Sequence, residues 1–306
     1  MTAPLRRRDF IRLGTAAAFA LALPRAARPA AAQMARRPIP ATGEPMPVIG
    51  LGTSHEFNEV PAGGGEQLQA VLRVLVDQGG SLVDTAPAYG NAERILGRFM
   101  DELDLADTLF VSTKVSSRGA ERGLESMQRS QERLGKRPLD LMMVHSLVDA
   151  KTQLGNLSRW KDAGRVRYIG ITTSRRSGHE QMEALIRSHD LDFIQVNYSP
   201  METDAAERVI PAAAERGVAV MINRAFGNGS YFERVGGRPL PDWAADFGCE
   251  SWAQFSLKYI LGNRDVTCAL AATSNPQHML DNARAGSGPL PDEAARRRIV
   301  EFLQSI

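Results

Sequence analysis

The stretch Leu139-Asp-Leu-Met-Met-Val-His145, followed farther along by Val166-Arg-Tyr-Ile-Gly-Ile-Thr172, shows the unit that recurs through most of this chain. Both runs are short and mainly apolar, with little polar alternation, which is typical of parallel strands buried on both faces. Eight runs of this kind occur, at residues 48–52, 81–85, 109–114, 139–145, 166–172, 193–197, 218–223 and 267–272.

Longer amphipathic segments separate these runs. They predict helices at 67–78, 124–134, 179–188, 205–216 and 275–285, and a terminal helix at 292–304. Strands that alternate with helices imply a parallel sheet with right-handed crossovers. The count of eight and the fairly even spacing favour a closed (β/α)8 TIM barrel of the α/β class, in a single domain at 33–306, over an open doubly wound sheet.

Two segments interrupt this rhythm. Residues 35–46 precede the first strand and are rich in proline, so they predict a hairpin or a loop that covers the lower mouth of the barrel. The seventh connection, at 224–254, is longer than the others and rich in glycine. Long glycine-rich loops on this scaffold are more often functional than accidental.

The first 32 residues differ from the rest of the chain. Arg7 and Arg8 are followed by Asp-Phe-Ile, then by an Ala/Leu-rich run and an Ala-x-Ala ending. This layout is typical of a secretory signal peptide, and the paired arginines fit the twin-arginine (Tat) type, which is read by a receptor. The sequence therefore predicts a signal peptide at 1–32, cleavage before Gln33 and a periplasmic or secreted protein. The alternative is a disordered basic tail or a surface-binding helix.

Composition disfavours several classes of protein. The chain has 37 basic and 35 acidic residues, but six arginines and one aspartate lie in residues 1–32, which leaves 31 basic and 34 acidic residues and a net charge of −3. That charge does not indicate nucleic-acid binding. No apolar stretch is long enough for a membrane span. Cys249 and Cys268 lack metal-ligand spacing, so we expect two small buried hydrophobic residues, and the sequence leaves open whether they pair.

Four titratable side chains lie at the predicted ends of three neighbouring strands. Asp84 ends the second strand, Tyr89 follows in the loop, Lys114 ends the third strand and His145 ends the fourth. In (β/α)8 barrels such strand ends meet at the top, where active sites form. Each residue alone has a structural explanation, although a buried lysine is expensive to desolvate. The four together predict a catalytic site.

These residue types fit the reduction of a carbonyl by hydride transfer, in which the oxygen must receive a proton. Tyr89 would be the acid/base, and the Lys114 cation would lower its pKa from the usual value of about 10. Asp84 would keep Lys114 charged despite burial. His145 would donate a hydrogen bond to the substrate oxygen and orient the carbonyl.

The same residues carry a resemblance to a known family. Asp84-Thr-Ala-Pro-Ala-Tyr-Gly90 resembles the Asp-Thr-Ala-x-x-Tyr-Gly signature of aldo-keto reductases. Ser112-Thr-Lys114 and Leu141-Met-Met-Val-His145 resemble the family's lysine and histidine strands, and Gly50-Leu-Gly-Thr53, 166–172 and Gln195-Val-Asn-Tyr-Ser199 resemble its first, fifth and sixth strands. The resemblance implies an NAD(P)(H)-dependent oxidoreductase that reduces an aldehyde or ketone, or oxidises the corresponding alcohol or sugar.

The family binds its dinucleotide across the barrel top without the Gly-x-Gly-x-x-Gly motif of open sheets, which is absent here. By position, Thr172, Thr173 and Gln195 would hold the nicotinamide carboxamide, where the family usually has Ser-Asn in place of the two threonines. Family members commonly place an aromatic residue on the seventh strand to stack on the nicotinamide. This chain has Asn223 there, followed by Arg224, a cation suited to the pyrophosphate.

The eighth strand leads to the implied adenosine end. Thr273 and the backbone amides of the following helix start would take a phosphate, and Asn282 matches the family's adenine-contacting asparagine. Many relatives have a lysine or arginine beside the 2′-phosphate, whereas the aligned positions here are Ala272 and His278. The resemblance implies NADP(H), with NAD(H) as the alternative. Phe226 would contact the dinucleotide from its loop or serve only in packing.

A second interpretation is a cofactor-binding redox sensor or partner-binding barrel without significant turnover. The lost aromatic residue favours it, whereas the complete set of four polar residues opposes it. A metal-dependent hydrolase lacks the required ligands around His145. We expect a monomer whose partners are a small carbonyl or alcohol substrate and the Tat export machinery. The substrate itself is not readable, and the side chains expected to shape its pocket are His55, Phe57, Leu147, Tyr231, Phe232 and Trp243.

Overall fold

The strands form a hairpin followed by a closed barrel in the computed structural model, which describes residues 34–60 and 65–306. In the barrel each strand pairs in parallel with its neighbour along the chain, and the last pairs with the first. The antiparallel hairpin consists of β1 Arg36–Pro38 and β2 Pro45–Pro47. The barrel strands are β3 Ile49–Gly52, β4 Leu82–Asp84, β5 Phe110–Val115, β6 Leu139–Val144, β7 Val166–Thr172, β8 Phe193–Asn197, β9 Ala219–Asn223 and β10 Cys268–Leu270.

Helices follow the barrel strands and cover the outside of the sheet. Their bounds are α1 Glu66–Asp77, α2 Ala92–Glu102, α3 Ala120–Leu134, α4 Ala150–Asp162, α5 His179–Ser188, α6 Val209–Glu215, α7 Ser230–Val235, α8 Trp252–Leu261, α9 Pro276–Arg284 and α10 Glu293–Ser305. This architecture confirms the predicted (β/α)8 barrel of a single domain, and all eight predicted strands occur within two residues of their expected positions.

Three predicted segments differ from the structure in detail. The helix expected at 205–216 begins only at Val209, after a short 3-10 turn at Asp204–Ala206. Pro211 lies in its first turn, where a missing N–H is tolerated, but a proline cannot continue a helix from farther upstream. The helix expected at 124–134 begins earlier, at Ala120. The long connection at 224–254 contains α7 and a 3-10 helix at Asp242–Phe247.

The barrel strands alternate between two buried environments. In β5, Phe110 belongs to the cluster inside the barrel, whereas Val111 and Val115 pack in the larger cluster between the sheet and the helices. Side chains two residues apart share a face of a strand. Lys114 therefore points into the barrel, on the same face as Phe110, and Thr113 points outward to the helices.

The predicted hairpin is confirmed, and it closes the lower mouth of the barrel. Ile39 and Met46, at 0% and 2% exposure, join the cluster inside the barrel. The Arg37 guanidinium donates hydrogen bonds to backbone carbonyls of Leu261, Asn263 and Val266, near the start of β10. The barrel is thus filled from below, and its upper end is free for a site.

Three further predictions concern the cysteines, membrane spans and the signal peptide. Cys249 and Cys268 are both buried free thiols, as expected. Among the helices of residues 34–60 and 65–306, none is long and apolar enough to cross a membrane. The signal peptide predicted at 1–32 lies outside the described residues.

Candidate active site

The strand register brings the four predicted polar residues to one end of the barrel. Asp84 is the last residue of β4 and is in register with Ser112 of the neighbouring strand. Lys114 lies near the end of β5, and His145 directly follows β6. Tyr89 lies in the loop between β4 and α2. Because these parallel strands are neighbours, their carboxyl ends present the side chains to a shared space.

Lys114 is fully buried and forms an ion pair with Asp84. Its Nζ lies 2.7 Å from Asp84 Oδ2 and donates to the Thr85 carbonyl at 2.8 Å. The Ser112 hydroxyl donates to the other carboxylate oxygen of Asp84 at 2.8 Å. Burial alone would lower the pKa of Lys114, but the charges of Asp84 and Tyr89 raise it above its ordinary value. The lysine is therefore charged at neutral pH.

The Tyr89 ring lies beside this ion pair, with the Lys114 Nζ 5.1 Å from the ring centroid. Burial raises the pKa of the Tyr89 phenol above its usual value, while Lys114 acts to lower it and Asp84 to raise it. Lys114 acts to lower the pKa, as the sequence predicted, but burial has the larger effect, so the predicted net decrease is wrong. Tyr89 is protonated at neutral pH.

His145 is neutral at physiological pH. Burial, together with the charge of Lys114, lowers the pKa of its imidazole to about 4, against the opposing effect of Asp84. Its ring meets the Tyr89 ring edge-on, with centroids 5.9 Å apart. Ser146 and Leu147, which follow it, have positive φ values of 51° and 56°. Strained backbone at non-glycine residues tends to occur at functional sites.

A cavity of about 700 Å³ opens at this end of the barrel. Its wall includes Asp84, Tyr89 and His145, whereas Lys114 lies outside the lining. Four of the predicted cofactor residues, namely Thr172, Gln195, Asn223 and Arg224, also line it. The volume is in the range of small-molecule sites. The three polar residues and part of the predicted cofactor site thus share one space.

Two side-chain amides in this wall have unused hydrogen-bonding groups. Gln195 Oε1 accepts from the Thr172 hydroxyl at 2.9 Å and from Asn223 Nδ2 at 3.5 Å, and Asn223 Nδ2 also donates to the Thr173 carbonyl at 3.2 Å. Within the described ranges, buried Gln195 Nε2 and Asn223 Oδ1 have no partner. One free donor beside one free acceptor is the complement of a primary carboxamide. These residues therefore fit a nicotinamide carboxamide.

The remaining predicted cofactor residues lie outside the cavity wall: Thr173, Thr273, His278 and Asn282. The Thr273 hydroxyl accepts from the backbone N–H of Asn275, and Asn275 Oδ1 caps α9 by accepting from the N–H of Gln277 at 2.9 Å. Asn282 is buried on α9, and His278 is exposed on the same helix. The first turn of α9 is thus capped by the Asn275 side chain.

The residues predicted to shape the substrate pocket divide into two groups. His55 and Phe232 line the cavity. The other four pack elsewhere, since Phe57, Leu147 and Tyr231 are buried in the outer core and Trp243 packs against it. Phe226 lines the cavity and also packs against Phe232, with centroids 5.0 Å apart.

Sequence reasoning missed several polar residues of the wall. They are Ser54, Glu56, Ser146, Ser174, Arg175 and Asn228. All of them lie within a few residues of a predicted strand end, so proximity to the strand ends could have found them. Apolar side chains in the same loops are more often drawn into the core, which explains the error at Phe57 and Leu147.

Comparison with known sequences agrees with this geometry. The profile of the Aldo/keto reductase family matches residues 48–298. The protein "Aldo-keto reductase YhdN" of Bacillus subtilis is 30% identical over 198 residues, and the match covers 59% of this chain and 59% of that relative's length. A "D-threo-aldose 1-dehydrogenase" of a Pseudomonas species is 27% identical over 277 residues, covering 77% of this chain and 83% of that protein.

Solved structures share the fold. An aldo-keto reductase of Klebsiella pneumoniae, in complex with NADPH, superposes with a TM-score of 0.73 at 20% identity, over 89% of this chain and 95% of that one. The holo form of an aldo-keto reductase from Bacillus halodurans gives 0.71 at 19% identity, over 89% and 96%. With the family profile spanning the barrel from its first strand into its last helix, the chain belongs to the aldo/keto reductase family.

Proposed function

We propose that this protein is an NADP(H)-dependent oxidoreductase that reduces an aldehyde or ketone, with Tyr89 as the general acid. The observation that carries the proposal is the contact series from Tyr89 through Lys114 to Asp84, at the wall of an open cavity that also contains His145. A protonated phenol backed by a buried cation suits proton transfer to an oxygen that becomes negative.

Tyr89 would donate the proton that the carbonyl oxygen receives. The bound dinucleotide would supply the hydride to the carbonyl carbon. Tyr89 is in the protonated form that the reduction needs, because burial raises its pKa. The phenolate left behind would be stabilised by the Lys114 ammonium, which Asp84 holds in place at 2.7 Å. The positive charge of Lys114 therefore offsets the negative charge that forms on the Tyr89 oxygen.

His145 would orient the carbonyl. Because its pKa is lowered to about 4, its imidazole is neutral near pH 7 and carries one N–H. A neutral donor can bind the carbonyl oxygen in both the ketone and the alkoxide states, and it adds no second buried cation beside Lys114.

The cofactor assignment rests on the unused amide groups. Gln195 and Asn223 would bind the carboxamide, with Thr172 fixing the Gln195 oxygen. Thr273 and the N-terminus of α9 would take a phosphate, as helix starts do. The NADPH named in the Klebsiella pneumoniae structure supports NADP(H). NAD(H) is the second candidate, because Ala272 and His278 stand where many family members have a lysine or arginine beside the 2′-phosphate.

We further infer that the protein is exported after folding. The support is the paired arginines Arg7 and Arg8 with the Asp-Phe-Ile that follows, and the Ala-x-Ala ending before Gln33. A diffusible nicotinamide pool is not expected outside the cytoplasm. The Tat route accepts folded proteins, so the nucleotide would be loaded first and travel inside the barrel.

The test is to purify the exported, processed protein and analyse any nucleotide that it releases. We expect an N-terminus at Gln33, bound NADP(H) or NAD(H) by absorbance and mass spectrometry, and oxidation of added NADPH by 4-nitrobenzaldehyde. Tyr89→Phe should bind the nucleotide equally well and turn over at least a hundredfold more slowly, since the proton donor is removed.

Three results would contradict parts of this proposal. A protein that binds neither NADPH nor NADH is not the proposed enzyme. Full activity of Tyr89→Phe would exclude Tyr89 as the acid while leaving the reductase activity. Normal reductase recovered only from the cytoplasm, with residues 1–32 retained, would reject export alone.

A further inference from the structure

Arg224 lies beside the pair of amides that fits the carboxamide. Its Nη1 donates to the Ser174 carbonyl at 2.9 Å, and the preceding residue, Asn223, donates to the Thr173 carbonyl at 3.2 Å. Two consecutive residues at the end of β9 thus bind two consecutive residues after β7. Both contacts cross over β8, the strand between them, which carries Gln195. The guanidinium and the two amides that fit the carboxamide therefore line the same cavity.

The charge of Arg224 is not neutralised by another side chain of the described part of the protein. Arg224 forms no ion pair within residues 34–60 and 65–306, and its buried Nε has no hydrogen-bond partner there. Arginine stays charged at any physiological pH. Its backbone has a positive φ of 54°, which is costly for a residue with a side chain. A strained, uncompensated cation at a cavity wall suggests a function.

We propose that Arg224 makes this site bind the reduced nicotinamide more tightly than the oxidised one. The inference rests on the proposed function, since it requires a nicotinamide at Gln195 and Asn223. The oxidised ring carries a positive charge that the reduced ring lacks, so the guanidinium repels only the oxidised form. For two like charges within one cavity, screened only in part by water, we expect a difference in affinity of about tenfold.

This preference has a consequence for the bound cofactor. A site that binds the reduced form tenfold more tightly raises the midpoint potential of the bound two-electron couple by about 30 mV. The reduced form is then held more tightly than the oxidised form, and the bound reduced nucleotide is a slightly weaker hydride donor than the free one.

The pyrophosphate assignment made from the sequence predicts a different result. The pyrophosphate has the same charge in both oxidation states of the nucleotide. A cation bound to it would therefore strengthen the binding of both forms equally. The ratio of the two dissociation constants therefore separates the two roles of Arg224, and it does so without measuring turnover.

The experiment is an equilibrium titration of the purified protein with NADPH and with NADP⁺, by calorimetry, for the wild type and three variants. Arg224→Met should lower the preference for NADPH about tenfold, mainly through tighter binding of NADP⁺, because the repulsion is removed. Arg224→Lys should keep most of the preference, since it retains the charge. Both variants have the same backbone strain, so the pair is matched.

Arg175→Met is the control at the same rim. Arg175 lines the cavity one residue beyond the Ser174 carbonyl, but it is exposed, so water and salt screen its charge. We expect little change in the ratio. An unchanged ratio of the two dissociation constants in Arg224→Met would overturn the inference. If both nucleotides also bound more weakly, and equally so, Arg224 would be assigned to the pyrophosphate. Failure of the wild type to bind either nucleotide would overturn the proposed function and this inference with it.

Discussion

The protonation state of His145 is set by its surroundings. Burial and the Lys114 ammonium both disfavour the imidazolium, and the Asp84 carboxylate compensates only in part. The same Lys114 charge acts on Tyr89, where burial nevertheless prevails. One buried ion pair therefore influences two proton-bearing groups, and for both of them burial has the largest effect on the pKa and disfavours the charged form.

We expect His145 to titrate far below an ordinary histidine. Its imidazole NMR signals should shift with a midpoint near pH 4, because burial and Lys114 lower its pKa to about 4. His145→Gln removes one of the five histidine signals and so identifies it. A midpoint at pH 6 or above would show that the imidazole is more solvated, or farther from the lysine charge, than the structure indicates.

The same shift links His145 to the stability of the protein. The folded-state pKa is depressed, so the unfolded chain takes up the proton first as the pH falls from about 6.5. The free energy of unfolding should therefore decrease between pH 6.5 and 4, by at most about 3 kcal/mol from this group. His145→Gln should show a shallower decrease in urea denaturation over that pH range.

At the scale of elements, the site depends on how α2 packs against α3 and β5. Glu93 in the first turn of α2 accepts from the Thr113 hydroxyl at 2.7 Å and pairs with Arg133 of α3 at 3.1 Å. Thr113 directly precedes Lys114, and α2 begins three residues after Tyr89. The helix layer therefore helps to set the distance between the lysine and the tyrosine.

Gly97 allows this close packing, because a Cβ at that position would lie 2.1 Å from the Arg133 carbonyl oxygen of α3. We expect Gly97→Ala to lower the free energy of unfolding by about 2 kcal/mol or more, since backbone cannot yield as a side chain can. It should also slow carbonyl reduction, because α2 carries the Tyr89 loop. Urea denaturation and NADPH oxidation measure the two effects.

Gly155 is the matched control for that substitution. It lies in the middle of α4, is exposed, and has open space where a Cβ would be. Gly155→Ala should raise the free energy of unfolding by about 0.5–1 kcal/mol, because alanine loses less backbone entropy in a helix. Destabilisation by both substitutions to a similar extent would mean that the α2–α3 contact is not the cause.

At the scale of the whole molecule, the hairpin joins the start of the barrel domain to its end. Ile39 and Met46 fill the barrel from below, and Arg37 binds carbonyls that lie far away in the sequence. The lower mouth is thus closed by apolar contacts and charge-assisted hydrogen bonds. The upper mouth keeps its polar side chains because the filling of the barrel stops beneath them.

We expect Arg37→Met to destabilise the protein by about 2 kcal/mol, because three carbonyls lose a charged donor in a partly buried place. Arg36→Met is the comparison. Arg36 also donates to backbone carbonyls, of Gly79 and Pro45, but it is exposed and water can replace it. Urea midpoints should differ clearly between the two variants, and equal losses would argue against closure by Arg37.

Much of this arrangement could be predicted because local pattern carries it. Apolar runs without alternation identified the barrel strands, and strand ends identified Asp84, Lys114 and His145 as neighbours. The pKa of Tyr89 could not be predicted in this way, since it is a balance between burial and two opposite charges. Nor could the sequence distinguish His55, which lines the cavity, from Phe57, which turns into the core.

The sequence by itself determined the barrel, the order of its strands and the residues that meet at its mouth, because hydrophobic periodicity is a local property and eight parallel strands close in chain order. Only the tertiary structure decided the charge state of Tyr89, the unused amide groups of Gln195 and Asn223, and the direction of the Arg224 side chain. Those properties depend on distances and burial among residues far apart in the chain, which no single segment encodes.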